Sequence, residues 1–263
     1  MDRKLILLAA LLLACACNPI KNDLEKYSLN CIAKQIILQS DTLERPYTVT
    51  FNKYGQVEEH RTFNFDGSFR YQETYSYNDK HQLVEILGLN ADNENEARYE
   101  YDYKGRFISE CRIYGMNNQE MGRWEHQNNG RHIVKTDYYD EGELSYTSIK
   151  DYTGKHYVER SYTPDGDLIA TANVDFLTDD KFTRIESPTI DVEIEYNPKA
   201  LPVKSRGTLI NSTGEMLWHF DLEEHPFRYY SYEYDERGNW ISRAESVHPD
   251  STAYCVLRRI ITY

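Results

Sequence analysis

Tyr230-Ser-Tyr-Glu-Tyr-Asp-Glu-Arg-Gly-Asn-Trp240 is the stretch whose reading decides the fold. Tyr230, Tyr232 and Tyr234 alternate with Ser231, Glu233 and Asp235, a period of two that puts three rings on one face of a strand and polar groups on the other. Asp235 to Gly238 then reads as a turn, with Asp opening it and Gly supplying φ > 0 three residues on. The unit recurs. Tyr99, Tyr101 and Tyr103 lead to Gly105 and Phe107; Tyr47, Val49 and Phe51 lead to Tyr54-Gly55; Phe63 and Phe65 lead to Asp66-Gly67. Tyr75 and Tyr77 lead to Asn78-Asp79, Trp124 leads to Asn129-Gly130, and Gly130, Gly142, Gly154 and Gly166 follow one another at intervals of 12 residues. Turn signals at this spacing between alternating strands predict an all-β antiparallel meander of about a dozen short hairpin repeats. Connections this short pair each strand with its sequence neighbour, and the expected product is one extended, twisted or rolled sheet.

The rest of the chain is less regular. Ser28 to Ser40, with Ile32, Ile36, Ile37 and Leu38, reads as the first strand, a helix being the alternative for so short an apolar run. Leu89 to Ala97 reads as an acidic hairpin loop. Asp175 to Pro202 lacks glycine and holds Pro188, Pro198 and Pro202, so it reads as a loop, one strand at Val192, Ile194 and Tyr196, and an irregular turn. Cys255 to Tyr263 is a final strand. Tyrosine is in excess, 23 against 9 Phe and 3 Trp, which suits half-buried positions where a ring needs an apolar body and a polar tip.

At the amino terminus, Arg3 and Lys4 precede the apolar run Leu5 to Ala14, the pattern of a signal peptide over residues 1–14. Its end, Leu12-Leu-Ala-Cys15, resembles the lipobox of bacterial lipoproteins, which implies acylation of Cys15. Residues 15–27 are then a lipid anchor and tether, and 28–263 the repeat domain. Ala16 in place of Asp after the Cys implies an outer-membrane lipoprotein, facing the periplasm or the cell surface. Cys17, Cys31, Cys111 and Cys255 are too few and too scattered for a disulfide framework, and Cys31, Cys111 and Cys255 read as buried small hydrophobes.

The pattern in YEYDYKGRF at 99–107 and YEYDERGNW at 232–240 resembles the YD repeats of the Rhs family, closely at those two units and loosely over 47–263. The resemblance implies side-by-side hairpins in a curved sheet. It is to the small lipoprotein form without a toxin domain, having too few units to close a shell.

Little points to chemistry. With 43 Asp plus Glu against 30 Lys plus Arg, a nucleic-acid partner is not expected. The eight histidines show no metal-ligand spacing, Asp165-Gly-Asp167 is a turn instead of a calcium loop, and no nucleophile motif or phosphate-cradling loop is present, so neither cofactor nor metal is expected. The chain reads as no enzyme; a glycan-active hydrolase would need two convergent carboxyls that sequence cannot identify. The expected function is an envelope lipoprotein acting as a β-repeat binding or display module for a protein or polysaccharide. A structural lipoprotein without specific ligand is the alternative. Trp124, Trp218 and Trp240 flank turns and are the candidate binding residues, placed together at one rim.

Overall fold

The computed structural model describes residues 23–24, 26–40, 45–178, 181–188, 190–210, 216–219 and 227–263, with the side chains of 40, 208–210 and 216–219 left aside. Among the described residues none is helical, and 19 strands form one sheet. They are β1 (Gln35–Ser40), β2 (Tyr47–Phe51), β3 (Val57–Phe63), β4 (Phe69–Tyr77), β5 (Leu83–Asn90), β6 (Asn95–Lys104) and β7 (Phe107–Tyr114). Next come β8 (Glu120–Asn128), β9 (Ile133–Asp140), β10 (Glu143–Thr153), β11 (His156–Tyr162), β12 (Leu168–Thr178) and β13 (Lys181–Glu186). The last are β14 (Ile190–Tyr196), β15 (Pro202–Ile210), β16 (Met216–His219), β17 (Arg228–Tyr234), β18 (Trp240–Ser246) and β19 (Cys255–Thr262).

Each strand from β1 to β15 pairs antiparallel with the next, and β15 passes the sheet to β17 through Lys204↔Tyr229 and Ser205↔Arg228 while β16 rests on β15 alone. β19 then returns to β1 over Gln35↔Thr262 through Ser40↔Leu257. The sheet is therefore a closed 18-strand antiparallel barrel. This corrects the expected extended or rolled sheet, and with it the inference that the repeats are too few to close. Closure pairs the two edges that an open sheet would leave bare. The aliphatic inner sets Ile36 and Leu38 on β1 and Leu257 and Ile261 on β19 close it from the inside.

The strands also outnumber the expected dozen units; His81 and Asn93, in the expected Asn78 turn and Leu89–Ala97 loop, and Asn118 and Ala200 take φ of 60°, 59°, 58° and 55° where other turns place Gly. The expected acidic hairpin loop Leu89–Ala97 is the tip of the β5–β6 hairpin, narrowed to residues 91–94, and the glycine-free stretch after Asp175 contains β13 as well as the expected β14. Of Ser28 to Ser40, only Gln35 onward is strand.

The underlying turn is a five-residue loop opened by Asn or Asp. Asn52 Oδ1 accepts from the backbone N–H of Tyr54 at 2.9 Å and of Gln56 at 3.1 Å; Asn78, Asn90, Asn197 and Asp235 repeat the pattern. Gly105 and Gly238 sit at φ 68° and 77°, as their place in the repeat requires. A Cβ on Gly238 would stand 2.9 Å from Asn30 Nδ2, whereas Gly105 has open space. Gly238→Val is accordingly expected to lose about 1–3 kcal/mol in urea unfolding and Gly105→Val less, a neutral result at both contradicting the turn assignment.

The end of the barrel that carries the turns after β2, β4, β6, β8, β10, β12, β14 and β17 is closed by the chain ahead of β1. Asp23 Oδ2 accepts from Val57 N–H at 2.6 Å and from Tyr77 Oη at 3.0 Å. Leu24, Leu29 and Ala33 join Ile36, Val49, Phe51 and Val57 in one core, with Tyr27 packed on it. Arg259 donates to the Tyr27 carbonyl at 2.7 Å, and Asn30 N–H reaches Asn239 Oδ1 at 2.6 Å. Asp23 to Tyr27, read as tether, thus includes residues seated in the barrel mouth. Residues 1–22, with Cys15 and Cys17, lie outside the described residues. Among the described residues Cys31, Cys111 and Cys255 form no disulfide, and the last two are buried.

Candidate functional site

Alternation sorts the strand residues onto two faces of very different chemistry. The outer face is a ladder of ion pairs. Arg112 contacts Asp102 at 2.5 Å and Glu110 at 3.5 Å; Arg98 contacts Glu100 at 2.6 Å; Arg123 contacts Glu125 at 3.0 Å; Arg206 contacts Glu193 at 2.6 Å. Such exposed pairs add little stability each, but they keep this face wet.

The inner face follows the register around the barrel: Tyr101 opposite Cys111, Cys111 opposite Trp124, Trp124 opposite Tyr138, Tyr138 opposite Tyr146. Tyr71, Tyr75 and Tyr77 on β4 face Tyr99, Tyr101 and Tyr103 on β6 across Ile86 and Gly88 of β5. Gly88 permits this: a Cβ there would lie 2.0 Å from the Tyr71 hydroxyl, so the ring lies flat over the strand only because position 88 has no side chain. All six rings are half-buried. Burial raises the pKa of the Tyr71, Tyr75, Tyr77 and Tyr99 phenols, so these remain neutral hydrogen-bonding groups.

Further round, β8 to β11 place a polar layer inside. His126 Nδ1 meets Thr136 Oγ1 at 2.9 Å, Ser148 Oγ donates to Glu159 Oε1 at 2.5 Å, and Lys150 Nζ stands 3.9 Å from Glu159 Oε2. His126 and Glu159 are buried, and His126 Nε2 has no partner. Burial, then the neighbouring Lys150 ammonium, lowers the His126 pKa to about 4, so it is neutral at pH 7. On β17 and β18, buried Glu245 takes Arg243 at 2.8 Å, and Ser205 meets the Tyr230 hydroxyl at 2.8 Å. Among the described residues no group of three or more His, Cys, Asp or Glu could hold a metal ion.

The three candidate tryptophans do not share a rim. Trp124 is half-buried at mid-strand on the inner face. Trp240 starts β18 at the plugged mouth, buried at 8% exposure, with Arg259 4.0 Å over its ring. Trp218 lies on β16, opposite Leu209, its side chain outside the description. What sequence reading missed is the inner polar layer, because His126, Ser148 and Glu159 come from separate hairpins and only the register brings them together.

The mouth also holds a cavity of about 280 Å³ between the amino-terminal segment and three turns, lined in part by Asn30, Lys181, Lys199, Tyr234 and Trp240. Lys199 Nζ lies 3.7 Å from the centre of the Tyr234 ring and donates to the Gly238 carbonyl at 3.2 Å; Lys181 donates to the Ala200 carbonyl at 3.1 Å.

Fold and faces together define a closed antiparallel β-barrel with a charged exterior and an aromatic interior. No family model and no curated protein matches the chain. Among solved structures it is similar to a porin-like protein from Bacteroides uniformis, at a TM-score of 0.42 and 12% identity over 87% of this chain and 97% of the other. A porin-like protein from Bacteroides vulgatus follows at 0.26 and 9% identity, over 89% of this chain and 99% of that one. The Tc holotoxin pore of Photorhabdus luminescens gives 0.30 and 11% over 86% of this chain and 13% of that one. At these values no shared function follows.

Proposed function

We propose that the protein is a lipid-anchored envelope lipoprotein whose barrel stands in water and acts by binding, not by catalysis, with the inner tyrosine wall as its contact surface. The observation that carries this is the six half-buried rings of β4 and β6, with Tyr71 laid flat over Gly88. Neutral phenols on a sheet offer stacking faces, and a hydroxyl that donates inward, as Tyr75 does to Glu73 at 2.5 Å and Tyr77 to Asp23 at 3.0 Å, keeps its oxygen as an acceptor, a chemistry that suits a glycan of the envelope. The outer ion pairs weigh against a membrane-spanning pore. A lipid-facing wall needs an apolar band, and Arg or Lys at its midplane costs about 2–4 kcal/mol each.

Glycan arrays and calorimetry on Tyr71→Ala/Tyr99→Ala and on Trp124→Ala test the reading, with far-UV circular dichroism verifying the fold. Loss of a wild-type glycan signal in the folded variants supports it. Retention of every interaction would remove the tyrosine wall from the function and leave the structural alternative. Mass spectrometry of the membrane fraction reads the anchor: an acylated peptide beginning at Cys15 is expected, and lipid on Cys17 or none contradicts it.

A further inference from the structure

The two ends of the barrel carry opposite charge, although the chain as a whole is at −13. At the plugged mouth successive hairpin turns hold Lys53, Lys80, Arg106 and Arg131, and Lys155, Lys199 and Arg237 continue the ring; all are exposed. None of them forms an ion pair among the described residues; instead Arg106 reaches the Gly130 carbonyl at 2.9 Å and Lys199 the Gly238 carbonyl, each turn holding the next. Among the described residues exposed Asp79 and Glu236 dilute the ring, with Asp23 set in the mouth on Val57 and Tyr77 and Asp235 tied into its own turn; Asp179 and Asp180, next to Lys181 in sequence, lie outside the described residues. The opposite end is acidic: Asp66, Asp92, Glu94, Glu141, Asp165 and Asp250 occupy its turns, against Arg45.

The basic end is also the end where the chain enters. Asp23 is fixed there beside Val57 and Tyr77, and residues 15 to 23 span at most about 30 Å when extended, which holds that mouth close to anything Cys15 is attached to. The mouth cavity opens in the same ring, and Lys181 and Lys199 line it with no carboxylate among its described lining residues.

From this juxtaposition we propose that the plugged mouth docks on an anionic lipid surface, the turn cations resting among headgroups with the Lys181–Lys199 cavity receiving one headgroup phosphate. Cations on a membrane-facing ring attract anionic lipid within a Debye length, and the acidic far end is repelled by it, so the barrel stands upright. The wet outer wall and the inner tyrosines are then presented away from the bilayer. Docking is independent of what the tyrosine wall binds.

The test is sedimentation of the full chain with vesicles of phosphatidylglycerol and phosphatidylethanolamine against phosphatidylcholine vesicles, at about 0.05 M and about 0.5 M salt. Any insertion of the apolar segment 5–14 is common to both compositions, so the ring is read from the variants. Lys53→Glu/Arg131→Glu/Lys155→Glu is expected to weaken binding to the anionic vesicles about tenfold or more at low salt. Arg61→Glu/Arg184→Glu/Arg206→Glu, the same charge change on the outer wall, should leave it within about twofold. Lys181→Gln/Lys199→Gln should lower the preference for phosphatidylglycerol without altering weak binding to phosphatidylcholine. Equal binding to both vesicle types, equal loss from the wall variant, or binding to heparin or DNA but not to vesicles would each overturn the proposal.

Discussion

Glu159→Ala is expected to destabilise the barrel by about 3–5 kcal/mol, among the largest effects of any single substitution on the inner face. The Glu159 and Lys150 side chains are 7% and 9% exposed, and their charged atoms stand 3.9 Å apart. Ser148 completes the carboxylate's coordination at 2.5 Å, and the Lys150 ammonium also lies 5.0 Å from the centre of the Tyr157 ring. Removing the carboxylate leaves the ammonium inside with a hydroxyl and a ring face, which replace little of its lost hydration. The pair itself need not be stabilising. Lys150→Met with Glu159→Leu removes both charges at similar volume and is expected to recover most of the loss, giving a coupling energy of several kcal/mol in a double-mutant cycle. Urea unfolding measures all four corners. A single-substitution cost within about 0.5 kcal/mol would show that water reaches the pair freely.

The same layer shows where sequence reading stops. The tyrosine alternation at 99–103 and 230–234 is local, and it assigns both strand and face correctly because a period of two needs no tertiary information. Turns marked by glycine were equally legible. The Asn78 turn and the Leu89–Ala97 hairpin loop are legible although His81 and Asn93, not glycine, take the left-handed position, whereas the turns at Asn118 and Ala200 lack that glycine signal; the Asn or Gly that opens each loop, with a polar or leucine residue four positions on, marks them. Closure is different in kind. Ile36 meets Ile261 across the length of the chain, and nothing in either strand's own pattern says whether its edge finds the other or stays bare. The sorting of charge between the two ends is intermediate: each turn's residues are visible, but which end a turn belongs to follows only from counting every strand, and β13 had been missed. The Trp residues were placed together for lack of that count.

Stability is expected to fall as pH drops from about 6.5 to about 4, by up to about 3 kcal/mol, with His126 as the principal cause. Its folded pKa is about 4 against 6.5 for the free side chain, lowered first by burial and then by Lys150. In the unfolded chain the imidazole takes up a proton as pH passes below 6.5, whereas in the barrel it does so only near 4. Between those values the unfolded state binds more protons, so lowering the pH favours unfolding; above 6.5 both states are neutral there and the contribution is complete. Other groups facing His126 are Thr136, which does not titrate, and the Lys150 ammonium. Carboxyls whose pKa is lowered on folding, Glu73, Asp66 and Asp235, lose their stabilisation at pH values below their ordinary range, so they add to the slope mainly under about pH 4. His126→Gln keeps a hydrogen-bonding group beside Thr136 and removes the titration. Its stability should be nearly flat from pH 7 to pH 4.5, while the wild type falls steadily. Parallel curves for the two proteins in urea unfolding at stepped pH would mean that His126 is not the group that senses acid.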